Sequence, residues 1–282
     1  EMVRASCDSV SFEVSSHGLA LHRVHGTNFD VVVFTNLSPD HLDFHGTMDA
    51  YFECKAKLFS SHEYASDDTM RIVNVDDSWG RKLALRLGST AHMITYGVRR
   101  EARVRAEDIV VRDHGSAFRL CTPWGDETVV LPLRGRFNLF NALAAVAAGG
   151  ALSLPLSRMV EGLQTVPAVP GRLEPVENGL GVNIYVDYAH TEDALAGALR
   201  ALRETSERRI LCVFGCGGDR DRSKRSGMGS AVSQGADVVV VTSDNPRSED
   251  PQRIIDDILD GMPDSSSVIC CIDRRTAIHD TL

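Results

Sequence analysis

The chain has 282 residues, 43% hydrophobic and 24% charged, a balance that suits a folded protein long enough for two domains. Its formal net charge of −9 excludes a generic nucleic-acid or membrane-surface binder, so any anionic ligand has to be met by local Arg, Lys, helix N-termini or metal. The seven cysteines contain no C-x-x-C pair and several lie in apolar runs, which reads as reduced core thiols of a cytoplasmic protein; Cys212 and Cys216 lack the second cluster a zinc site needs. In chain order, Val10–Val14 alternates like a strand, Ser15–Leu19 breaks it, and a helical stretch extends to about His22. Gly26-Thr27-Asn28 lacks the Gly-Lys-Ser/Thr ending of a phosphate loop and reads as a turn. Val31–Thr35 is a β-branched, buried strand that ends in the polar cluster Asn36–Asp43, and Thr47 caps a helix from about Met48.

Arg71–Val75 and His92–Tyr96 read as further strands, with a helix from Ser78 to Leu87 between them, capped by Asp76-Asp77. Short alternating strands around a Trp124-Gly125 turn between Arg103 and Leu133 predict a small antiparallel sheet appended to the α/β core. Gly135–Leu152 and Leu156–Gln164 read as helices. The apolar run Leu139–Leu154 is broken by Asn141 and paired glycines and is shorter than the ~20 residues of a membrane span. No signal peptide is evident. Val166–Gly171 carries two prolines and a glycine and marks a linker. Beyond it strand and helix alternate: Asn183–Tyr188, Glu192–Thr205, Arg209–Phe214, Lys224–Gln234, Asp237–Thr242, Pro251–Leu259 and Val268–Ile272. That pattern predicts a parallel, Rossmann-like domain. The chain starts at Glu1 without an initiator Met and stops in the helix-like Arg274–Ile278, so both ends read as cut.

Chemistry-bearing groups collect after strands, where open α/β sheets place their ligands. Glu13, His41, Asp40 and Asp43 offer ligands for Mg²⁺, and equally read as caps of helices and turns. Lys55, a cation, reads as lying on a solvated helix face. Asn138 and Asn141 share one helix face and suit the edge of a base, although Asn138 also reads as a helix cap. The glycine-rich loop Gly215–Arg222 carries Arg220 and Arg222, followed by Lys224 and Arg225, and suggests carboxylate or phosphate recognition. Asp244-Asn245-Pro246-Arg247 is a stiffened loop with a forked donor for a carboxylate, or a plain turn.

Together the stretches EVSSHGLALHRV, FTNLSPDHLDFHGTMDAYFECKAKLF, GRFNLFNALAA, PGRLE, VDYAHT, FGCGGDRDR and TSDNPRSEDP resemble, in order, the motifs of the Mur ligases. These are ATP-dependent amide-forming enzymes of peptidoglycan precursor synthesis. The resemblance implies a central ATP-binding domain over residues 1–167, with a mostly parallel sheet plus a small antiparallel sheet, and a Rossmann-like C-terminal domain over 168–282. It also implies Mg²⁺ ligands at Glu13 and His41, and at Lys55 once carbon dioxide has converted its amine to a carbamate. Asn138, Asn141, Arg172, Asp187 and His190 match ATP contacts, and Ser15 and Arg23 match contacts to a UDP-N-acetylmuramoyl dipeptide. Arg220 and Asp244, Asn245, Pro246 and Arg247 match the site of the incoming amino acid. Arginine at the end of the DNPR form is similar to the branch that takes meso-diaminopimelate, whose distal carboxylate Arg247 would clamp.

The implied reaction joins meso-diaminopimelate to UDP-N-acetylmuramoyl-L-alanyl-D-glutamate through an acyl phosphate, in a monomeric, bacterial, cytoplasmic enzyme that touches neither nucleic acid nor membrane. The alternatives are a Mur-type ligase for L-lysine and a non-catalytic nucleotide-binding module. Departures from the family pattern fall at Leu21, Glu192, Ser223, Ser226 and Gly227. The family's N-terminal uridine-binding domain, its GTNGKT phosphate loop and its GKGHE segment have no counterpart in the sequence, so a truncated, inactive fragment is the expectation.

Overall fold

A computed structural model describes residues 4–60, 62–99 and 101–282. The first half is built on one sheet in which β-branched runs stack in sequence order: β1 (Val31–Phe34), β2 (Met70–Asn74), β3 (Met93–Gly97), β4 (Val104–Arg112), β5 (Gly115–Thr122) and β6 (Gly125–Leu131). β1 to β4 pair in parallel, and β4 to β6 pair antiparallel. The antiparallel strands therefore continue the parallel sheet edge to edge instead of forming an appended layer. Val10–Val14, expected as a strand, is irregular backbone, with Val10 and Phe12 exposed and no neighbouring strand to pair with among the described residues.

Helices flank this sheet. α1 (Ser16–Ala20) and α2 (Leu42–His45) are short, and the sequence pattern did not register α2. α3 (Met48–Ser60) starts where expected, with the Thr47 hydroxyl accepting from the Ala50 N–H at 3.1 Å. α4 (Ser78–Leu87) is capped by Asp77, whose carboxylate accepts from Gly80 N–H. α5 (Arg136–Ala151) buries its Ala- and Leu-rich length against β2, β3 and β4, and α6 (Leu156–Thr165) closes the core over β6. Gly135, with φ of 83°, takes the cap position of α5, so Asn138 lies inside the helix and is not its cap.

In the second half, β7 (Glu174–Val176) and β8 (Ile184–Val186) form a two-stranded antiparallel ribbon. The expected strand at Asn183–Tyr188 is thus shorter and stands outside the parallel sheet, because its partner is the unforeseen β7. α7 (Glu192–Thr205), β9 (Leu211–Phe214), α8 (Lys224–Gly235), β10 (Val238–Thr242), α9 (Pro251–Leu259), β11 (Ile269–Cys271) and α10 (Arg274–Thr281) complete the half. β11, β10 and β9 pair in parallel in that order, with α7, α8 and α9 packing Leu195, Leu199, Val232, Ile254 and Ile258 onto them. All seven cysteines are free; Cys216 is core, its thiol 3.5 Å from the Met228 sulfur. No helix among the described residues is long and apolar enough to cross a membrane.

The halves meet through Phe137 of α5, packed against Leu173, Ala198 and Ala201. Around that contact lie an Arg136–Glu204 ion pair at 3.1 Å and the Arg134 guanidinium, 5.3 Å from the centre of the Tyr185 ring.

Candidate functional site

The strand-end cluster after β1 is held open by a buried amide. Asn74 Nδ2 donates to the Thr35 carbonyl at 2.8 Å while its Oδ1 accepts from Asp76 N–H, tying the ends of β1 and β2 together. The chain then turns through His41, which sits in left-handed backbone (φ 56°, ψ 26°). A non-glycine residue in that region marks a place where geometry has been traded against strain. The Asp40 carboxylate accepts the His41 N–H at 2.9 Å and lies 3.5 Å from His41 Nε2. Burial lowers the His41 pKa against the opposing pull of Asp40.

α1 is laid across α3 by polar contacts: His45 Nε2 is 2.9 Å from the Ser16 hydroxyl, the Cys54 thiol donates to the Ser16 carbonyl, and His45 stacks on Tyr51. Lys55 is half-buried and has its ammonium 5.4 Å from the Tyr51 ring centre. The solvated-face reading of Lys55 is therefore corrected. Burial lowers its pKa, and Glu13, Cys54 and Asp40 pull the other way. From the second half, Lys224 reaches to 4.0 Å from Asp40. The structure thus gathers Glu13, Asp40, His41 and Lys55 on one wall, with a cation of the other half facing it.

Ser15 is spent locally in part, since its hydroxyl accepts the Gly18 N–H and caps α1. Arg23 is exposed one turn beyond α1. Asn138 is buried, donates to the Arg134 carbonyl at 2.7 Å, and accepts from Asn141 Nδ2 at 3.0 Å. The two amides are thus a pair, as their spacing suggested. Arg172 lies over the Tyr188 ring at 5.6 Å, His190 Nδ1 is 3.0 Å from the Tyr188 carbonyl, and Asp187 accepts from the Leu173 and Ala189 N–H groups. Asp187 and His190 shape their own loop, and only Arg172 and the far side of His190 face outward. A cavity of about 420 Å³ lies between Ser38 and Pro39 after β1, Asp77 before α4, and Thr191 and Asp193 at the start of α7. It is bordered by the strand-end loop but not by Lys55.

The second wall is two loops zipped together. Gly218 N–H donates to the Asn245 carbonyl, and Arg247 Nη1 donates to the Gly218 carbonyl at 2.6 Å. A Cβ on Gly218 would fall 1.9 Å from the Pro246 carbonyl oxygen, so only glycine permits this approach. Asp219 N–H donates to Glu249, and Ser248 donates to the Asp219 carboxylate through both its N–H and its hydroxyl. Asp219 and Arg247 both occupy left-handed backbone. Beneath the zip, Arg225 is 1% exposed and pairs with Glu249 and Asp257 at 2.8 Å each, also reaching the Gly217 carbonyl. Hydrogen bonds led by Arg225 pull the Glu249 carboxyl down to about 2. Arg220, Asp244 and Asn245 are exposed on the outer face of these loops.

Hard divalent cations take oxygen ligands and keep several waters. Glu13 and Asp40 supply such oxygens beside Lys55, although among the described residues their ligand atoms and those of His41 do not converge to within 4.8 Å of one another. The set fits a hydrated Mg²⁺ with an anionic Lys55, not with an ammonium. Sequence reasoning missed the roles of Arg225, His45 and Tyr51. A buried Arg among basic neighbours leaves no spacing signal, whereas His41 and His45, four residues apart beside Asp40 and Asp43, were a usable one.

The chain is a two-part mixed α/β protein with polar groups gathered at strand ends in both halves, and comparison with known proteins makes the class specific. Residues 1–149 match the Mur ligase middle domain and residues 171–282 the Mur ligase, glutamate ligase domain. The chain belongs to the Mur ligase family. It is similar to the UDP-N-acetylmuramoyl-L-alanyl-D-glutamate--2,6-diaminopimelate ligase of Thermosynechococcus vestitus, at 48% identity over 98% of this chain and 55% of that relative. The Listeria monocytogenes ligase of the same name is 39% identical over 99% of this chain and 57% of the relative. A solved structure of an enzyme of that name superposes with a TM-score of 0.61, 35% identity, and coverage of 95% of this chain and 55% of the other. Folylpolyglutamate synthase of Mycobacterium tuberculosis, at TM-score 0.71 and 23% identity over 89% of this chain and 56% of the other, shares the fold. The chain spans about half the length of the curated relatives it matches.

Proposed function

We propose that the protein carrying this chain is an ATP-dependent ligase that adds meso-diaminopimelate to UDP-N-acetylmuramoyl-L-alanyl-D-glutamate in the bacterial cytoplasm. The observation that carries this reading is the half-buried Lys55, its ammonium disfavoured by burial, set beside Glu13 and Asp40 on a wall that Lys224 faces from the second half. Burial makes the neutral amine that carbon dioxide attacks easier to reach, and a carbamate on Lys55 would supply oxygens for Mg²⁺ together with Glu13 and His41. The bound ion would neutralise phosphate charge as the acyl phosphate forms.

In this reading Asn138 and Asn141 meet the base of ATP, and Arg172, Asp187 and His190 meet it from beyond the linker. Ser15 and Arg23 hold the dipeptide substrate, and the zipped loops present Arg220, Asp244, Asn245 and Arg247 to diaminopimelate. Pro246 fixes the loop for Arg247. The functional boundary falls in Val166–Gly171, with residues 1–167 and 168–282 as the two domains, and the enzyme works as a monomer. A ligation assay on the full-length protein, with each amino acid offered separately, tests the substrate. Diaminopimelate-dependent ADP formation that L-lysine does not support is the expected result, and a preference for lysine would overturn the assignment of Arg247.

A further inference from the structure

Away from both walls, the turn that leaves α1 carries two histidines whose side chains converge on one carboxylate. His22 Nδ1 lies 3.1 Å and His25 Nδ1 2.8 Å from the same oxygen, Oε1 of Glu63, and all three ligand atoms lie within 4.8 Å of one another. Among the described residues this is the group of His, Cys, Asp and Glu side chains that reaches such convergence. We propose that His22, His25 and Glu63 form a binding site for a divalent transition-metal ion such as Zn²⁺, separate from the magnesium wall around Lys55.

Three features of the fold build the site. His22 sits in left-handed backbone (φ 54°), and the His25 N–H donates to the His22 carbonyl at 3.2 Å, so one tight turn presents both rings on the same side. The rings stand 6.3 Å apart at 78°, edge to face, which lets both Nδ1 atoms point at a common centre. Glu63 comes from the chain that leaves α3, and α3 is tied to α1 by the Cys54 thiol donating to the Ser16 carbonyl, so the carboxylate is delivered by an element already docked.

The donor set has the right chemistry. Two imidazoles and one carboxylate suit borderline ions such as Zn²⁺, and three protein ligands leave a fourth position to solvent. Around a tetrahedral zinc with bonds of about 2.0–2.1 Å, ligand atoms lie roughly 3.3–3.4 Å apart. The two nitrogen–oxygen separations have to open by only a few tenths of an ångström to reach that. Proton bookkeeping also closes. An ionised carboxylate only accepts, so in the metal-free form both Nδ1 atoms carry the hydrogen. His22 and His25 side chains are 66% and 68% exposed, so each neutral ring can shift its proton to the Nε2 position in solvent and free Nδ1 for the ion. A bound ion would staple the exit of α1 to the exit of α3, next to Arg23.

The test is Co²⁺ and Zn²⁺ titration of the full-length protein, with a His25→Ala and a Glu63→Gln variant beside the wild type. Co²⁺ should give a visible absorption band without the near-ultraviolet thiolate charge-transfer band that any cysteine ligand would add. Zn²⁺ should displace one equivalent of Co²⁺ and raise the thermal midpoint of the wild type. Each variant should weaken Co²⁺ binding at least tenfold while circular dichroism and ligation activity stay at wild-type levels. Co²⁺ affinity unchanged in both variants, or a spectrum carrying the thiolate band, would overturn the site.

Discussion

At the scale of single residues, Arg247 and Lys55 show what a one-dimensional reading captures. Arg247 was only half legible: an arginine after Asn-Pro at a strand end reads equally as a forked donor and as part of a plain turn, and the structure has it donating to the Gly218 carbonyl. Lys55 was not legible from its own helix, because the charges that surround it, Glu13 and Asp40, come from segments distant in the chain. The resemblance to a family, and not periodicity, pointed to it. Arg247 also yields a sharp expectation. One Nη1 is already committed to Gly218, so its remaining donors act as a planar fork that Lys cannot reproduce. Arg247→Lys should raise the KM for diaminopimelate by about tenfold to a hundredfold, as expected from roughly 1.5–3 kcal/mol for a charge-assisted hydrogen bond, with a far smaller change in kcat. Steady-state kinetics with varied diaminopimelate checks this.

At the scale of elements, the strands and helices with strong local signals came out of the sequence nearly intact: β1, α3, α4, α5 and β10 lie within a residue or so of where their apolar runs and caps put them. What stayed hidden were pairings between distant segments. The β7–β8 ribbon was unforeseen because a three-residue strand carries no period of its own. The zip between Gly215–Asp219 and Asp244–Glu249 was unforeseen because its bonds join two loops distant in the chain and follow no local spacing. Arg225 is the keystone of that zip, and two expectations follow from it. Arg225→Met leaves Asp257 without its Arg partner and Glu249 with only the exposed Arg222 and the Asp219 N–H, so the denaturant midpoint should fall and the KM for diaminopimelate should rise together. The wild-type pair also has a signed dependence on acid. Glu249 titrates at about 2 when folded, below its ordinary range near 4.3, so its contribution is complete above the ordinary value and is lost as the pH falls toward 2. Denaturant titrations at stepped pH should show the wild type losing stability across that window more steeply than Arg225→Met. Equal slopes would remove Glu249 from the account.

At the scale of the whole molecule, the two halves are held by a small apolar contact with thin electrostatics around it. The Arg136–Glu204 pair is half-exposed, and pairs of that kind contribute at most about 1 kcal/mol. Phe137 against Leu173, Ala198 and Ala201 is the substantial part. Phe137→Ala should therefore split thermal unfolding into two calorimetric transitions, whereas Arg136→Ala should leave one. The same economy would serve the proposed ligase, in which one half closes on the other. In the present arrangement Lys224 of the second half already reaches to 4.0 Å from Asp40 of the first. The account as a whole turns on Lys55. The most direct measurement is the ligation rate of Lys55→Ala in the full-length protein against wild type, under saturating ATP, Mg²⁺ and diaminopimelate. Loss of activity by on the order of a hundredfold or more, comparable to removing a group that stabilises transition-state charge, is the predicted result. An unchanged rate, indifferent to added bicarbonate, would contradict it.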